Sequence, residues 1–171
     1  MATSRSQQVS EAQRRQRRAD DRAKGLYPPP LNEGRSRNMR ANRRRDTGPE
    51  LVLRSMLHRA GYRYRCDYRL DLDSGIRVRP DIVFTKRRTA IFVDGCFWHL
   101  CPQHGRQPTT NSGYWSPKLQ RNRERDERNT AALQEAGWTV IRVWEHEPAQ
   151  SAFEQVVATL GQAPSRLSSV S

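Results

Sequence analysis

The chain has 171 residues and carries 31 Lys or Arg against 18 Asp or Glu, so its net charge is +13 at pH 7. This length suits one domain with a tail, and an apolar fraction of 35% is below the roughly 45–50% typical of globular proteins. No stretch approaches the roughly 18 uncharged apolar residues of a membrane span, and residues 1–24 lack the apolar core of a secretory signal. The sequence therefore predicts a cytoplasmic protein that does not enter a membrane.

The positive charge is concentrated near the N-terminus. Residues 1–45 hold 13 Arg or Lys and 4 Asp or Glu, a net charge of +9, whereas residues 46–171 carry only +4. The first segment also has few large aliphatic residues, so it cannot bury enough apolar surface to offset the entropy of ordering. Its charge suits a polyphosphate partner, although a merely solubilising tail is an equal alternative. The domain boundaries that follow are a disordered basic arm over 1–36, a folded domain over 37–160 and a flexible tail over 161–171.

Hydrophobic periodicity predicts the element order α-β-β-β-α-β-α in the folded part. The helices are predicted from Asp46 or Thr47 to Gly61, from Ser116 and Pro117 to Ala136, and over residues 150–160. The strands are predicted over residues 62–70, 76–84, 89–94 and 138–144, and Pro80 marks a bend or an edge in the second of them. This order predicts an α/β fold with a mixed central sheet flanked by helices.

Acidic residues mark the ends of two neighbouring predicted strands. Asp81 follows a proline in the second strand and Asp94 ends the third, so antiparallel pairing would bring both carboxylates into one cleft. Such oxygens can hold Mg²⁺, although solvated turn residues are the alternative. Glu50 in the first helix and Asp126 on the second could join them, and His99 is of the residue type that most often serves as the base that activates water.

A group of soft ligands predicts a second metal site. Cys96, Cys101 and His104 fall within nine residues, and His146 follows the last strand. Two Cys and two His form a structural zinc set, and a loop of about 20 residues with few aliphatics needs such a staple. The alternative is a free buried Cys96 with exposed His104 and His146.

Aromatic residues stand at both ends of the same loop. Phe97 and Trp98 are adjacent, and Tyr114 precedes Trp115. Aromatic side chains on a basic surface can stack on bases or wedge between base pairs. Packing against the sheet is the equal alternative.

The stretch from Arg37 to Glu147, 111 of the 171 residues, resembles the very short patch repair (Vsr) DNA mismatch endonucleases. The matching segments, in order, are NMRANRRRDTGPE, RPDIVF, IFVDGCFWHLCPQH, YWSPKLQRNRERD and GWTVIRVWEHE. The resemblance implies a restriction-endonuclease-like fold of the PD-(D/E)xK type with a zinc-stapled loop. It also implies Mg²⁺-dependent nicking of double-stranded DNA, 5′ to the T of T:G mispairs that arise from deamination of 5-methylcytosine.

The resemblance also assigns roles to single residues. Asp81 and the backbone carbonyl of Val93 would bind the catalytic metal, either two Mg²⁺ ions or one with a supporting cation. His99 would be the general base, and Glu50 and Asp126 would be supporting acids. Phe97, Trp98 and Trp115 would form the wedge beside the mispair, and Arg40 and Asn122 would contact DNA. The structural zinc would be bound by Cys96, Cys101, His104 and His146.

Val93-Asp94 stands where some family members carry Thr-His, so Asp94 either adds a second carboxylate or replaces the histidine. The family further implies a nucleoid-associated monomer that passes nicked DNA to a polymerase, a ligase or mismatch-repair proteins. Two other classes stay open: a sequence-specific or generic nuclease of the same fold, and a non-catalytic zinc module that binds DNA.

Overall fold

The computed structural model describes residues 45–105, 109 and 111–161, together with Gln13, Gln16, Asp20, Glu33 and Gly34. The predicted arm (1–36) and tail (161–171) therefore lie, apart from these five positions and Gly161, outside the described residues. None of the described helices combines the length and the apolar character that crossing a bilayer requires.

The described elements follow the predicted order, with some strands divided. The helices are α1 (Gly48–Arg59), α2 (Ser112–Glu135) and α3 (Ala149–Leu160). The strands are β1 (Arg65–Cys66), β2 (Leu70–Asp71), β3 (Arg77–Val78), β4 (Ile82–Phe84), β5 (Thr89–Asp94) and β6 (Thr139–Trp144). A short 3-10 helix over Thr85–Arg87 joins β4 to β5.

The main sheet is mixed, as predicted. Its strand order is β1-β4-β5-β6, and β2 pairs separately with β3. β4 is antiparallel to both β1 and β5, whereas β5 and β6 are parallel. Because parallel neighbours need a long crossover connection, the polypeptide between β5 and β6 has room for both a loop and the helix α2.

Helices cover both faces of this sheet. On one face α1 and α3 pack against β4, β5 and β6, and the buried residues there include Leu53, Leu57, Ile91, Ile141 and Val156. On the other face α2 and the β2-β3 ribbon enclose a smaller cluster that contains Leu70, Val78, Val83, Ala90 and Leu133. Burying each Leu or Ile contributes about 1.5–3 kcal/mol, so these two clusters fix the strand ends that form the site.

The predicted strands over 62–70 and 76–84 are each interrupted. Asp67 has a positive φ of 46°, which ends β1, and its backbone N–H donates a hydrogen bond of 3.3 Å to the Asp81 carbonyl. Pro80 cannot donate a ladder hydrogen bond, and it separates β3 from β4. The prediction of one continuous strand over 62–70 was therefore wrong, whereas the break in the second strand lies at Pro80, where a bend or edge was predicted.

Helix α2 begins earlier than Ser116, the predicted start. Asn111 caps it in the left-handed conformation, with a φ of 55°, and Pro117 lies inside the helix. Asn tolerates this conformation better than most residues, a signal that the apparent Ser-Pro start obscured. As a result Trp115 lies on the helix and not in the preceding loop.

Candidate active site and Cys/His cluster

The predicted carboxylates meet at one edge of the main sheet. The antiparallel register of β4 and β5 places Asp81 beside the end of β5, where its Oδ2 atom accepts a 2.8 Å hydrogen bond from the Val93 N–H. Asp94 is the last residue of β5, and Glu50 reaches the same edge from α1. The antiparallel pairing therefore brings Asp81 and Asp94 to the same sheet edge, as the sequence predicts.

Asp81 is the least compensated acid of this group. Burial raises its pKa to about 6, and the negative charges of Glu50 and Asp94 act in the same direction. The Val93 hydrogen bond and the Arg54 guanidinium oppose this shift without cancelling it. Among the described residues, Asp81 forms no salt bridge, in contrast to the carboxylates around it. A half-buried carboxylate without a cationic neighbour bound to it favours a cation as its partner.

Glu50 is held by the start of α1. It occupies the third helical position, and its Oε1 accepts a 3.1 Å hydrogen bond from the Thr47 hydroxyl. Its Oε2 accepts hydrogen bonds of 3.0 Å from both the Asp46 N–H and the Arg54 Nη2. The same Arg54 nitrogen donates to the Asp81 carbonyl at 3.1 Å. Glu50 thus acts as a capping residue that ties α1 to the site.

Asp94 is paired with a residue that sequence reasoning missed. Arg142 of β6 donates from Nε to one Asp94 oxygen at 2.6 Å and from Nη2 to the other at 2.7 Å. Asp94 is only 3% exposed, so this ion pair is largely shielded from water. A signal did exist, because an arginine within the apolar strand WTVIRVW needs a carboxylate partner.

His99 and Asp126 form a close pair. The Nδ1 atom of His99 lies 2.5 Å from Asp126 Oδ2 and 3.6 Å from Asp94 Oδ1. Burial alone would raise the pKa of Asp126, but the hydrogen bond and charge of His99 lower it below its usual range. An ionised Asp126 accepts the proton on Nδ1, which leaves Nε2 of His99 able to accept another proton.

The four predicted zinc ligands form a compact Cys/His cluster. The ligand atoms of Cys96, Cys101, His104 and His146 all lie within 4.8 Å of one another. The Nδ1 atom of His146 is 3.0 Å from Cys96 Sγ and 3.7 Å from Cys101 Sγ, and His104 Nδ1 is 4.0 Å from Cys101 Sγ. Tetrahedral bonds of about 2.3 Å to sulfur and 2.0 Å to nitrogen would separate such atoms by about 3.5 Å. The donor set and its spacing therefore fit zinc.

The pKa values of the two cysteines in the cluster shift in opposite directions. Burial and the neighbouring Cys101 raise the pKa of Cys96 to about 11. Burial also opposes ionisation of Cys101, yet backbone N–H groups, including that of His104, lower its pKa. Glu145 accepts a 2.7 Å hydrogen bond from the Cys96 N–H, a supporting contact that sequence reasoning did not identify.

Three aromatic side chains form one cluster beside these sites. The rings of Phe97, Trp98 and Trp115 contact one another edge to face, with centroids 5.0 to 6.0 Å apart. The Lys118 Nζ atom lies 5.6 Å from the Trp98 ring and 5.1 Å from that of Trp115. All three rings are half-buried. The structure thus joins residues that are 18 positions apart in the sequence.

Of the two polar residues predicted to contact DNA, Asn122 and Arg40, only Asn122 is among the described residues. The Nδ2 atom of Asn122 donates a 3.3 Å hydrogen bond to the Trp98 carbonyl, so Asn122 holds the aromatic loop against α2. Arg40 lies outside the described residues.

Comparison with known proteins identifies relatives across most of the chain. A family model described as "DNA mismatch endonuclease Vsr" matches residues 31–104. The type II nicking enzyme V.NaeI of Lentzea aerocolonigenes is 62% identical over 143 residues, which cover 84% of this chain and 86% of that protein. The type II nicking enzyme V.XorIIP of Xanthomonas oryzae is 47% identical over 64% of this chain and 77% of its own length. The DNA mismatch endonuclease Vsr of Escherichia coli is 41% identical over 65% of this chain and 69% of its own length.

These matches set aside the alternative of a non-catalytic zinc module, because the relatives are endonucleases and nicking enzymes. With a relative that is 62% identical over most of both chains, the protein belongs to the Vsr family of DNA endonucleases.

Proposed function

We propose that this endonuclease nicks one strand of duplex DNA, 5′ to the T of T:G mispairs produced by deamination of 5-methylcytosine. The observation that carries this proposal is that Asp81 and His99 both lie at the end of β5. The Val93 N–H donates a hydrogen bond to Asp81, and Asp94 Oδ1 lies 3.6 Å from His99 Nδ1. A candidate metal ligand and a candidate base therefore lie at the same strand end. The names of the relatives support nicking and mismatch recognition.

Asp81 and the backbone carbonyl of Val93 would hold the catalytic Mg²⁺. The fit rests on the half-buried carboxylate of Asp81, which forms no salt bridge among the described residues, since Mg²⁺ prefers such hard oxygen ligands. A bound Mg²⁺ supplies Lewis-acid stabilisation of the negative charge on the scissile phosphate. Glu50 and Arg54 keep α1, and with it the Asp81 backbone, in place.

His99 would take the proton of the attacking water at its Nε2 atom. Asp126 accepts the proton on Nδ1, so it fixes the tautomer in which Nε2 is basic and stabilises the ring when it becomes charged. The expected products are a 3′ hydroxyl and a 5′ phosphate at the nick.

The aromatic cluster would recognise the mispair by entering the base stack. Separating two stacked base pairs costs less at a mismatch, so a wedge of Phe97, Trp98 and Trp115 favours T:G over paired DNA. The contact between Asn122 and the Trp98 carbonyl would keep the wedge rigid. A structural zinc held by the Cys/His cluster would order the loop that carries it.

A sequence-specific nicking enzyme is the second candidate, because V.NaeI and V.XorIIP are named as type II nicking enzymes. In that case the surrounding bases, and not the mispair, would determine where the DNA is cut. Comparison of mismatched and fully paired duplexes separates the two functions.

The catalytic assignment is tested with a labelled duplex that carries one T:G mispair. We expect wild-type protein to nick it in the presence of Mg²⁺, to lose activity with a chelator of divalent ions, and to leave a 5′ phosphate. Asp81→Ala should reduce nicking at least about 1,000-fold while duplex affinity changes less than about twofold. Asp73→Ala, at an exposed turn residue, is the matched control and should nick like wild type. Cleavage retained by Asp81→Ala would contradict the assignment.

A further inference from the structure

We infer that Arg142 is a positioning residue of the active site, which directs the Nδ1 atom of His99 to Asp126 by engaging both oxygens of Asp94. This inference rests on the proposed role of His99 as the base. It also gives Asp94 a function other than binding metal.

Arg142 lies where three elements meet. It pairs in register with Phe92 on the neighbouring strand β5, and its guanidinium carbon is 4.8 Å from the centre of the Phe92 ring. Its Nη1 atom donates to the Thr130 hydroxyl on α2 at 3.3 Å. Because Asp126 precedes Thr130 by four residues, both lie on the same face of α2. Arg142 thus connects β5, β6 and the helix that carries Asp126.

The planar guanidinium suits this position better than a lysine would. Its Nε and Nη2 atoms bind both Asp94 oxygens at 2.6 and 2.7 Å, and Nη2 also lies 3.6 Å from Asp126 Oδ2. Arg presents five donors in one rigid plane, so it can face two carboxylates and a hydroxyl at once. Its charge also offsets the repulsion between the two acids.

The geometry around His99 leaves its Nδ1 proton with two possible acceptors. Asp126 Oδ2 is at 2.5 Å and Asp94 Oδ1 at 3.6 Å. Arg142 already donates to both oxygens of Asp94 and holds them in place, so Asp126, the nearer carboxylate, accepts the Nδ1 proton. The choice of acceptor sets the direction of the imidazole plane and hence the position of Nε2. Without Arg142, Asp94 would be a buried charge without its partner and would compete for the same proton.

The test measures single-turnover nicking of the T:G duplex over a range of enzyme concentrations, which separates the maximal rate from the half-saturating concentration. We expect Arg142→Gln to lower the maximal rate about 10- to 100-fold, because small misplacement of a reacting group has effects of that size. The half-saturating concentration should change less than about twofold. Arg142→Lys should recover part of the loss. Combining Asp94→Asn with Arg142→Gln should be faster than Arg142→Gln alone, since the competing charge is removed.

The controls keep this test separate from the test of the function. His99→Ala should be inactive, and Arg123→Gln, which removes an exposed ion pair with Glu127 on α2, should retain the wild-type rate. A wild-type rate for Arg142→Gln beside an inactive His99→Ala overturns the inference alone. An active His99→Ala overturns the proposed base instead.

Two further outcomes would also overturn the inference. A change only in the half-saturating concentration would make Arg142 a DNA contact. Equal slowing and equal loss of thermal stability in Arg142→Gln and the double variant would make it a structural residue. If Arg142→Gln does not fold, the maximal rate and the half-saturating concentration are measured with Arg142→Lys instead. A maximal rate equal to that of wild type would then overturn the inference.

Discussion

At the scale of single residues, the acids of the site differ in how their charge is compensated. Glu50 is paired with Arg54, Asp94 with Arg142 and Asp126 with His99. Asp81 alone in this group has no cationic side chain bound to it among the described residues, and burial raises its pKa to about 6. In the absence of metal, ionised Asp81 therefore destabilises the folded protein.

This cost makes a prediction about stability. The ordinary pKa of Asp81 is 3.8, so the folded protein holds the proton more tightly than the unfolded chain does. The contribution of Asp81 to the free energy of unfolding is thus most favourable below about pH 4, falls as the pH rises through 6, and is unfavourable above that. We expect Asp81→Asn to raise the free energy of unfolding at about pH 7.5 by on the order of 2 to 3 kcal/mol.

The measurement is denaturant unfolding of zinc-loaded, Mg²⁺-free wild type and variant at several pH values. The Asn side-chain oxygen can still accept the Val93 hydrogen bond, so the substitution changes mainly the charge. Glu154→Gln, at an exposed position on α3, should show no comparable gain. A gain of the same size below about pH 4, or none near pH 7.5, would show that the charge of Asp81 is not the cause.

Sequence reasoning could identify residues whose chemistry is local, but not their distant partners. Cys96, Cys101 and His104 are close in the chain, and their residue types already indicate a metal. Arg142, by contrast, is 48 positions from Asp94, and only the parallel pairing of β5 with β6 brings the two together. The alternation of a strand predicts which residues are buried, but it does not identify the acid that a buried arginine will bind.

At the scale of elements, the loop between β5 and α2 is the least predictable part of the site. Its start was clear, because β5 ends at Asp94 as expected. Its end was misplaced, since Pro117 resembled a first helical residue while the helix begins at Ser112. The loop also folds tightly on itself: a side chain at position 105 would approach the Cys101 carbonyl oxygen to 2.5 Å, so Gly is required there.

We expect zinc to be the main source of order in this loop. Purified protein should contain about one zinc ion per chain, and Cys96→Ser should lose it. Hydrogen exchange should then accelerate over residues 95–105 while β4, β5 and β6 stay protected by the two hydrophobic clusters.

Cys66 provides the matched control for this substitution. It is a free, exposed cysteine outside the Cys/His cluster, so Cys66→Ser should retain the metal and the slow exchange of the loop. Full zinc content in Cys96→Ser would rule out the cluster as the zinc site. Loss of zinc from Cys66→Ser would show that the ligand set is different.

At the scale of the whole molecule, most of the excess positive charge is outside the catalytic part. Residues 1–45 carry a net charge of +9, and residues 46–171 carry +4. Contacts between such charges and phosphates raise the affinity for DNA of any sequence and weaken with salt. Charge therefore cannot explain the proposed selection of a T:G mispair, which would have to come from side chains that reach the bases. The aromatic cluster lies next to the acidic edge of the sheet, because Trp98 immediately precedes His99, which contacts Asp126.

The most direct test of this account is a competition between two duplexes that differ at one position only, where one has a T:G mispair and the other a C:G pair. Each strand of each duplex carries its own label. With wild-type protein and Mg²⁺, we predict that the T:G duplex is nicked at least about tenfold faster, because opening the stack costs less there. Only the strand with the T should be cut, and the preference should persist when the flanking bases are changed. Equal rates on the two duplexes, or cleavage of both strands, would contradict the assignment as a mismatch-nicking enzyme.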